Sequence, residues 1–361
     1  MADESVISQT VELGEVDSTE GSAPTLADKL LRLGRALSVE LAIAWFAIAS
    51  LLLIRPLTSI TGWGTDAVLY AASARAWLTG GDPWHTSIVM SGTNQTVFFG
   101  APPTDMILYA PFAWLPAQVV GILWVILDVL AVLFIVRRLK KPLWWLLFPP
   151  AVEASVVGNP EPVMLALLVA GWPVLNALAP LAKPYAAAGL LAERRWRALA
   201  VAAGIGAACM VILPWPTYFA ELREIVATLR GQLHYGDLSA WGLSVGGIPI
   251  FVPIAVASLV VLGWRRAWWL AVPVLWPMAQ WHYAVIAMPV LGPVAGLGFS
   301  IPIPGATTVT VVALALMTLP KWLRDAAAVR RQASTDAGVS GRHRLGYLLA
   351  TSIGAPRRRQ P

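Results

Sequence analysis

"LSVELAIAWFAIASLLLIR" (Leu37–Arg55) and "GWGTDAVLYAASARAWLTGGDPW" (Gly62–Trp84) stand almost end to end, and their junction decides the fold. The first is an apolar run close to the roughly 20 residues that a bilayer-spanning helix needs. The second carries an acid, Asp66, at the head of a segment in which Ala67, Leu69, Ala71, Ala74 and Leu78 mix with Tyr70, Arg75 and Trp77. That mixture predicts a helix lying on the membrane surface. Lys29, Arg32 and Arg35 precede the apolar run and predict a cytoplasmic N-terminus, because basic flanks stay on that side. The Asp66 segment is then extracytoplasmic.

The rest of the chain extends the same pattern. Of its 361 residues, 57% are hydrophobic and 13% charged, far below the charged share of a soluble domain. Further apolar runs lie at roughly 118–136, 143–157, 161–178, 198–214, 243–263, 267–281, 283–299 and 303–320, with a shorter one at 102–116. They predict one all-α polytopic membrane protein with about ten hydrophobic helices rather than a string of soluble domains. The polar stretches 56–101 and 215–242 are expected to be extracytoplasmic loops. In the second, Phe219, Leu222, Ile225, Val226 and Leu229 recur near helical spacing and predict another interfacial helix. Eighteen Trp suit the interfacial belts of a membrane protein. The single cysteine, Cys209, excludes a disulfide framework and a Cys-based metal site. His85, His234 and His343 show no metal-like spacing with one another or with the carboxylates.

The two ends carry opposite charge. Residues 1–28 hold seven acids and no Lys or Arg, so 1–36 reads as an acidic, mostly disordered cytoplasmic tail without the basic start of a signal peptide. From Lys321 onward nine Lys and Arg stand against Asp325 and Asp336. Residues 321–361 therefore read as a basic cytoplasmic tail near anionic membrane lipids, with no call for nucleic acid. Between the tails, 37–320 forms the membrane domain. The basic clusters 137–141, 193–197 and 264–266 also read as cytoplasmic. Strict alternation of the apolar runs cannot put all of them inside, so some runs must be re-entrant or half-length.

Five segments in order carry a resemblance. Gly64, Asp66, Tyr70, Gly81, Asp82, Pro83 and Trp84 resemble the first extracytoplasmic loop of C-type membrane glycosyltransferases. The closest pattern is glycosyltransferase family 87, the polyprenol-phosphate-mannose-dependent mannosyltransferases. "FFGAPPTDMILYAPFAWLP" (98–116) resembles that family's Phe-x-Tyr-Pro-Pro helix, with Gly100-Ala101 where an aromatic is usual. "VVGNPEPVMLALL" (156–168) resembles its Gly-Gln-x-Asn segment, with Asn159 for Gln. "AKPYAAAGLLAERRWRAL" (182–199) resembles its Lys-Pro and Arg-Arg-x-Arg stretch, and "WPMAQWHYAVIAMPVL" (276–291) its Ser-Trp-x-His-His element through Trp281 and His282.

The resemblance implies the C-type architecture in the cell membrane, with interfacial helices after the first span and an extracytoplasmic active site. It implies transfer of a sugar, mannose for this family, from a polyprenyl-phosphate donor to a lipid-linked or envelope glycan, with inversion. Asp66 would be the general base, since the step needs a carboxylate to take the acceptor's hydroxyl proton. Asp66 is equally placed to cap the helix that follows it. Tyr70 shares its face one turn on. Asp82 reads as a turn former or a substrate contact, and Trp84 as a stacking partner or an interfacial anchor. Lys183 either meets the donor phosphate or reaches to the interface. His282 and Trp281 sit at the donor phosphate or the acceptor, and Asn159 joins the substrate contacts. No cofactor or metal is required in principle, because Lys, Arg or His can neutralise a monophosphate leaving group. Asn159 and Lys183 are too close in sequence for two full crossings between them. Asp128, inside an apolar run, reads as a buried hydrogen bond between helices. A transporter or lipid flippase, or a catalytically weakened scaffold, would share the composition. The first predicts paired, interrupted halves, which the chain lacks.

Overall fold

The structure is a computed structural model that describes residues 26–60, 63–89, 96–231, 236–244 and 248–319. Residues 1–25, the basic tail, His234 and His343 lie outside them, while 26–36, expected to belong to a mostly disordered tail, are helical. A long helix α1 (Leu26–Ile60) is followed by α2 (Thr65–Leu78) and a short antiparallel hairpin, β1 (Ser87–Val89) on β2 (Thr96–Phe98), with Ser87 opposite Phe98. Then come α3 (Pro103–Tyr109), α4 (Ala117–Arg138), α5 (Pro149–Val157), α6 (Glu161–Val169), α7 (Pro173–Ala182), α8 (Ala187–Ala192) and α9 (Trp196–Ile212). The chain continues through α10 (Trp215–Gly231), α11 (Phe251–Leu262), α12 (Trp264–Leu275), α13 (Pro293–Phe299) and α14 (Ala306–Leu319). The helical class is as expected, with the hairpin as an addition.

Of the about ten hydrophobic helices expected, some of them re-entrant or half-length, few are full-length spans. Among the described residues, two helices are long and apolar enough to cross a membrane, Ala36–Ile54 within α1 and all of α4. Counting the bent pairs α5–α6 and α9–α10 as one span each raises the number to four. The reason is proline. Pro149, Pro162 and Pro173 sit in the first turns of α5, α6 and α7, where a missing N–H costs nothing but the preceding helix cannot continue. The run at 161–178 therefore becomes the two short helices α6 and α7.

That break resolves the tight spacing of Asn159 and Lys183. At about 1.5 Å per residue, α6 and α7 reach about 14 and 15 Å, half of a bilayer core. They form a half-length hairpin whose two ends return to the same side of the fold. The hairpin's turn is exposed at Gly171–Val174, and the helix-end carbonyls before it are held by side chains. Arg138 Nε donates to Val169 O at 3.0 Å, Arg195 Nη1 to Leu168 O, and Asn176 Nδ2 to Leu167 O at 2.7 Å. Arg138, expected to be an ordinary flanking charge, is thus a helix cap.

Two apolar clusters surround these elements. The larger holds Phe46, Trp145, Phe148 and Trp269, with the Phe46 ring edge-on to Trp145. The smaller packs Tyr70, Phe99, Tyr109, Trp124 and Ile225, and seats α2 on α3 and α4. Backbone meets backbone where α2 begins. Gly64 has φ 70°, and a Cβ there would lie 2.3 Å from Gly121 Cα. Gly64 N also donates to Val156 O at 2.8 Å, which ties the start of α2 to the end of α5.

Gly64→Ala should therefore cost far more than a left-handed alanine alone, which is about 1–2 kcal/mol. Gly80 is the control, with φ 77° and open space around it. Gly80→Ala is expected to lower the thermal midpoint slightly, and Gly64→Ala to lower it much further or to abolish folded yield. Equal losses would show that the contact with Gly121 does not matter.

Candidate active site

Four parts of the fold converge on Asp66. Gly64 in the left-handed conformation starts α2 and sets Asp66 in its first turn. A 116° bend between α5 and α6, begun by Gly158 at φ 70°, presents Asn159 at its elbow. The 3₁₀ segment Trp281–Ala287 brings His282, and the extended backbone after α7 brings Lys183. Asp66, Tyr70, Asn159, Lys183 and His282, all singled out in the sequence, line one cavity of about 400 Å³.

Asn159 is the joint of this cavity. Its Nδ2 donates to Asp66 Oδ2 at 2.7 Å and lies 3.2 Å from His282 Nε2. With its amide donating to Nε2, the neutral ring of His282 carries its proton on Nδ1, which faces Glu153 Oε2 at 3.5 Å. Glu161 lies behind, 3.9 Å from His282 Nε2, and accepts a short hydrogen bond from Tyr185. Asp66 does not cap α2, whose N-cap is Gly64 with no side-chain cap bond. Its side chain bonds across the fold to Asn159, and its carboxylate in the first turn complements the helix dipole. Burial raises Asp66 above its ordinary value, against the pull of His282 and the hydrogen bond from Asn159.

Lys183 sits in a second group. Its Nζ donates to Tyr70 Oη at 2.8 Å and stands 3.1 Å from Asp105 Oδ2. Asp105 is fully buried. Burial pushes it up to about 7 even with the ammonium beside it, so pairing offsets only part of its desolvation. The outer wall of the cavity is α10, the expected amphipathic helix, through Tyr218, Leu222, Ile225, Val226, Leu229 and Arg230. Gly100 makes room for it, since a Cβ there would come 2.6 Å from Leu229 Cδ2.

Three other singled-out residues lie off the cavity lining. Asp82 Oδ1 accepts from Trp84 N at 2.9 Å and its Oδ2 pairs with His85 at 2.8 Å, which closes the turn. Trp84 is buried, with its Nε1 donating to Ala101 O at 3.2 Å and its ring against Tyr218. Trp281 packs with Leu53 and Leu238. The metal-like spacing missed in sequence appears in space, because α10 crosses over this turn. Single ligand atoms of Asp82, His85 and Glu221 lie within 4.8 Å of one another. Asp128 is also corrected. It is fully buried, but neither oxygen has a hydrogen-bond partner among the described residues.

Asp105, Glu153, Glu161 and Tyr185 were not singled out. The three acids sit in apolar runs, and the rule that flags a lone charge there flags them too. Aligning Gly158 with the Gly-Gln-x-Asn pattern also puts Glu161 on the Asn position.

A helical chain of membrane-spanning character, with a half-buried acid held by a buried amide at a cavity, has the features of a membrane-embedded transferase. Residues 99–280 match glycosyltransferase family 87, just over half of the chain, and the chain belongs to that family. It is a membrane glycosyltransferase. No curated protein and no solved structure matches it. The matched region contains Asn159, Lys183, Asp105, Glu153 and Glu161, while Asp66 precedes it and His282 follows it by two residues.

Proposed function

We propose that this protein transfers a sugar, mannose by family resemblance, from a polyprenyl-phosphate donor to a lipid-linked or envelope glycan on the extracytoplasmic face of the membrane. The reading rests most on one observation: Asp66 lines the cavity and is aimed by Asn159, and Lys183 and His282 line the same cavity. In the proposed step the acceptor hydroxyl attacks C1 of the sugar and Asp66 takes its proton. The C1–O bond to phosphate breaks, and its electron pair leaves with the polyprenyl phosphate. Asp66 is the one carboxylate among the described lining residues, which favours a single, inverting displacement over a covalent intermediate. Asn159 keeps a hydrogen-bond donor where the family pattern has Gln, which argues against a disabled scaffold.

The test is direct. Purified protein is supplied with radiolabelled polyprenyl-phosphate-mannose and an envelope-lipid extract, and with the corresponding polyprenyl-linked pentose or other hexose in parallel. A labelled product of changed mobility, formed with the mannosyl donor, is the expected result. Absence of product with every polyprenyl donor overturns the reading.

The pH profile adds a second check. Asp66 works as a base only when ionised, so activity falls as pH drops through its pKa. The hydrogen bond from Asn159 favours the ionised form. Asn159→Ala removes it, so the acid limb of kcat/KM should move to higher pH. An unmoved limb would assign that titration to another group.

A further inference from the structure

The cavity floor is short of positive charge. Besides tyrosines, the ionisable side chains lining it among the described residues are Asp66, Lys183, His282 and Arg230. Lys183 faces Asp105 at 3.1 Å, and His282 faces Glu153 and Glu161 at 3.5 and 3.9 Å. Even with His282 protonated, two cations on the floor meet four acids, counting Asp66. Not every acid there carries a full charge, since burial raises Asp66 and Asp105. Each floor cation nonetheless already faces an acid, so little free positive charge is left for a phosphate. The transfer step sharpens the need. The donor is a phosphodiester with one negative charge, and the electron pair released from C1–O leaves a monoester with up to two.

Arg230 stands apart from that balance. It ends the stripe of α10 that faces the cavity, one turn beyond Val226. It is exposed at the rim, and no acid among the described residues forms an ion pair with it. Its planar fork of N–H donors matches phosphate oxygens, and it stays charged throughout. A cation in the last turn also complements a helix dipole. That bland role predicts no preference for a phosphorylated ligand.

We infer that Arg230 receives the phosphate of the polyprenyl donor at the cavity rim and takes up the charge released as the sugar–phosphate bond breaks. This deepens the proposed function and rests on it. Lys183 and His282 then shape the floor and hold the sugar end, while α10 supplies the electrostatic pull.

Full-length protein in zwitterionic-lipid nanodiscs is titrated with a polyprenyl monophosphate, the matching polyprenol and a phosphatidate. The wild type should prefer the polyprenyl phosphate over the alcohol. Arg230→Gln should lose roughly ten- to a hundredfold of that preference, the range of one charge-assisted contact. Arg230→Lys should keep a large part of it. Arg223→Gln, an exposed arginine on the same helix, should keep all of it. A wild-type preference that survives Arg230→Gln overturns this inference and leaves the proposed donor standing. Equal losses in Arg223→Gln, or an equal loss of phosphatidate binding, mark a general headgroup attraction and overturn it too. A wild type indifferent to the phosphate overturns both the inference and the donor assignment.

Discussion

Asp66→Asn is expected to lower sugar transfer by on the order of a hundred- to ten-thousandfold while the protein remains folded. The substitution is close to isosteric. The Asn159 Nδ2 that donates to Asp66 Oδ2 at 2.7 Å can donate as well to an amide oxygen. Asp66 is the second residue of α2 and makes no side-chain cap bond. The amide therefore gives up only the charge–dipole interaction, about 0.3–1 kcal/mol, and the first turn of α2 should survive. What disappears is the basic lone pair that takes the acceptor's proton. The variant should therefore bind the donor lipid, show a near-normal thermal midpoint and turn over barely at all. A role confined to the helix start predicts the opposite pattern, with near-normal rates for both Asp66→Asn and Asp66→Ala and a loss of stability alone. An active Asp66→Asn enzyme would remove Asp66 from the chemistry, whatever the donor proves to be.

Much of this site could be read before its geometry was known, and the reason is local. Asp66, Asn159, Lys183 and His282 each sit in a short motif, and Tyr70 follows Asp66 at helical spacing. The structure brings residues up to 216 positions apart in sequence to one cavity, from Asp66 to His282. The helix count was less legible. Hydropathy measures how apolar a window is, and 161–178 is apolar apart from Glu161 and Asn176. It does not register that Gly171 turns with φ 86° and that Pro173 starts a new helix. The partners of the charged groups were the least legible part. Asp105 meets Lys183 only because α3 packs against α7, and Glu221 reaches Asp82 only because α10 crosses the earlier turn. No spacing along the chain encodes such meetings.

The buried Lys183–Asp105 pair should give a stability cycle that is far from additive. Lys183 is almost fully buried and Asp105 fully so, with their charged atoms 3.1 Å apart. Removing one member of such a pair strands the other and typically costs about 3–5 kcal/mol, whereas replacing both with apolar residues of similar size is often neutral. Lys183→Met and Asp105→Leu are each expected to lower the thermal midpoint sharply. The double variant should recover most of the loss. The sign of the pH dependence distinguishes the two single variants. In Lys183→Met the carboxyl of Asp105 loses the ammonium that held it down at about 7, so its folded pKa rises further above the unfolded value. A carboxyl raised on folding is better tolerated protonated, so the penalty should be present at about pH 8 and shrink toward about pH 5. Asp105→Leu contains no such carboxyl and should lack that relief. Activity then separates structure from chemistry. If Lys183 touches the substrate, the stable double variant still transfers sugar poorly. If it transfers normally, the pair serves the fold alone. Additive stability losses would mean that the two side chains do not depend on each other, and the paired floor on which the charge argument for Arg230 stands would have to be abandoned.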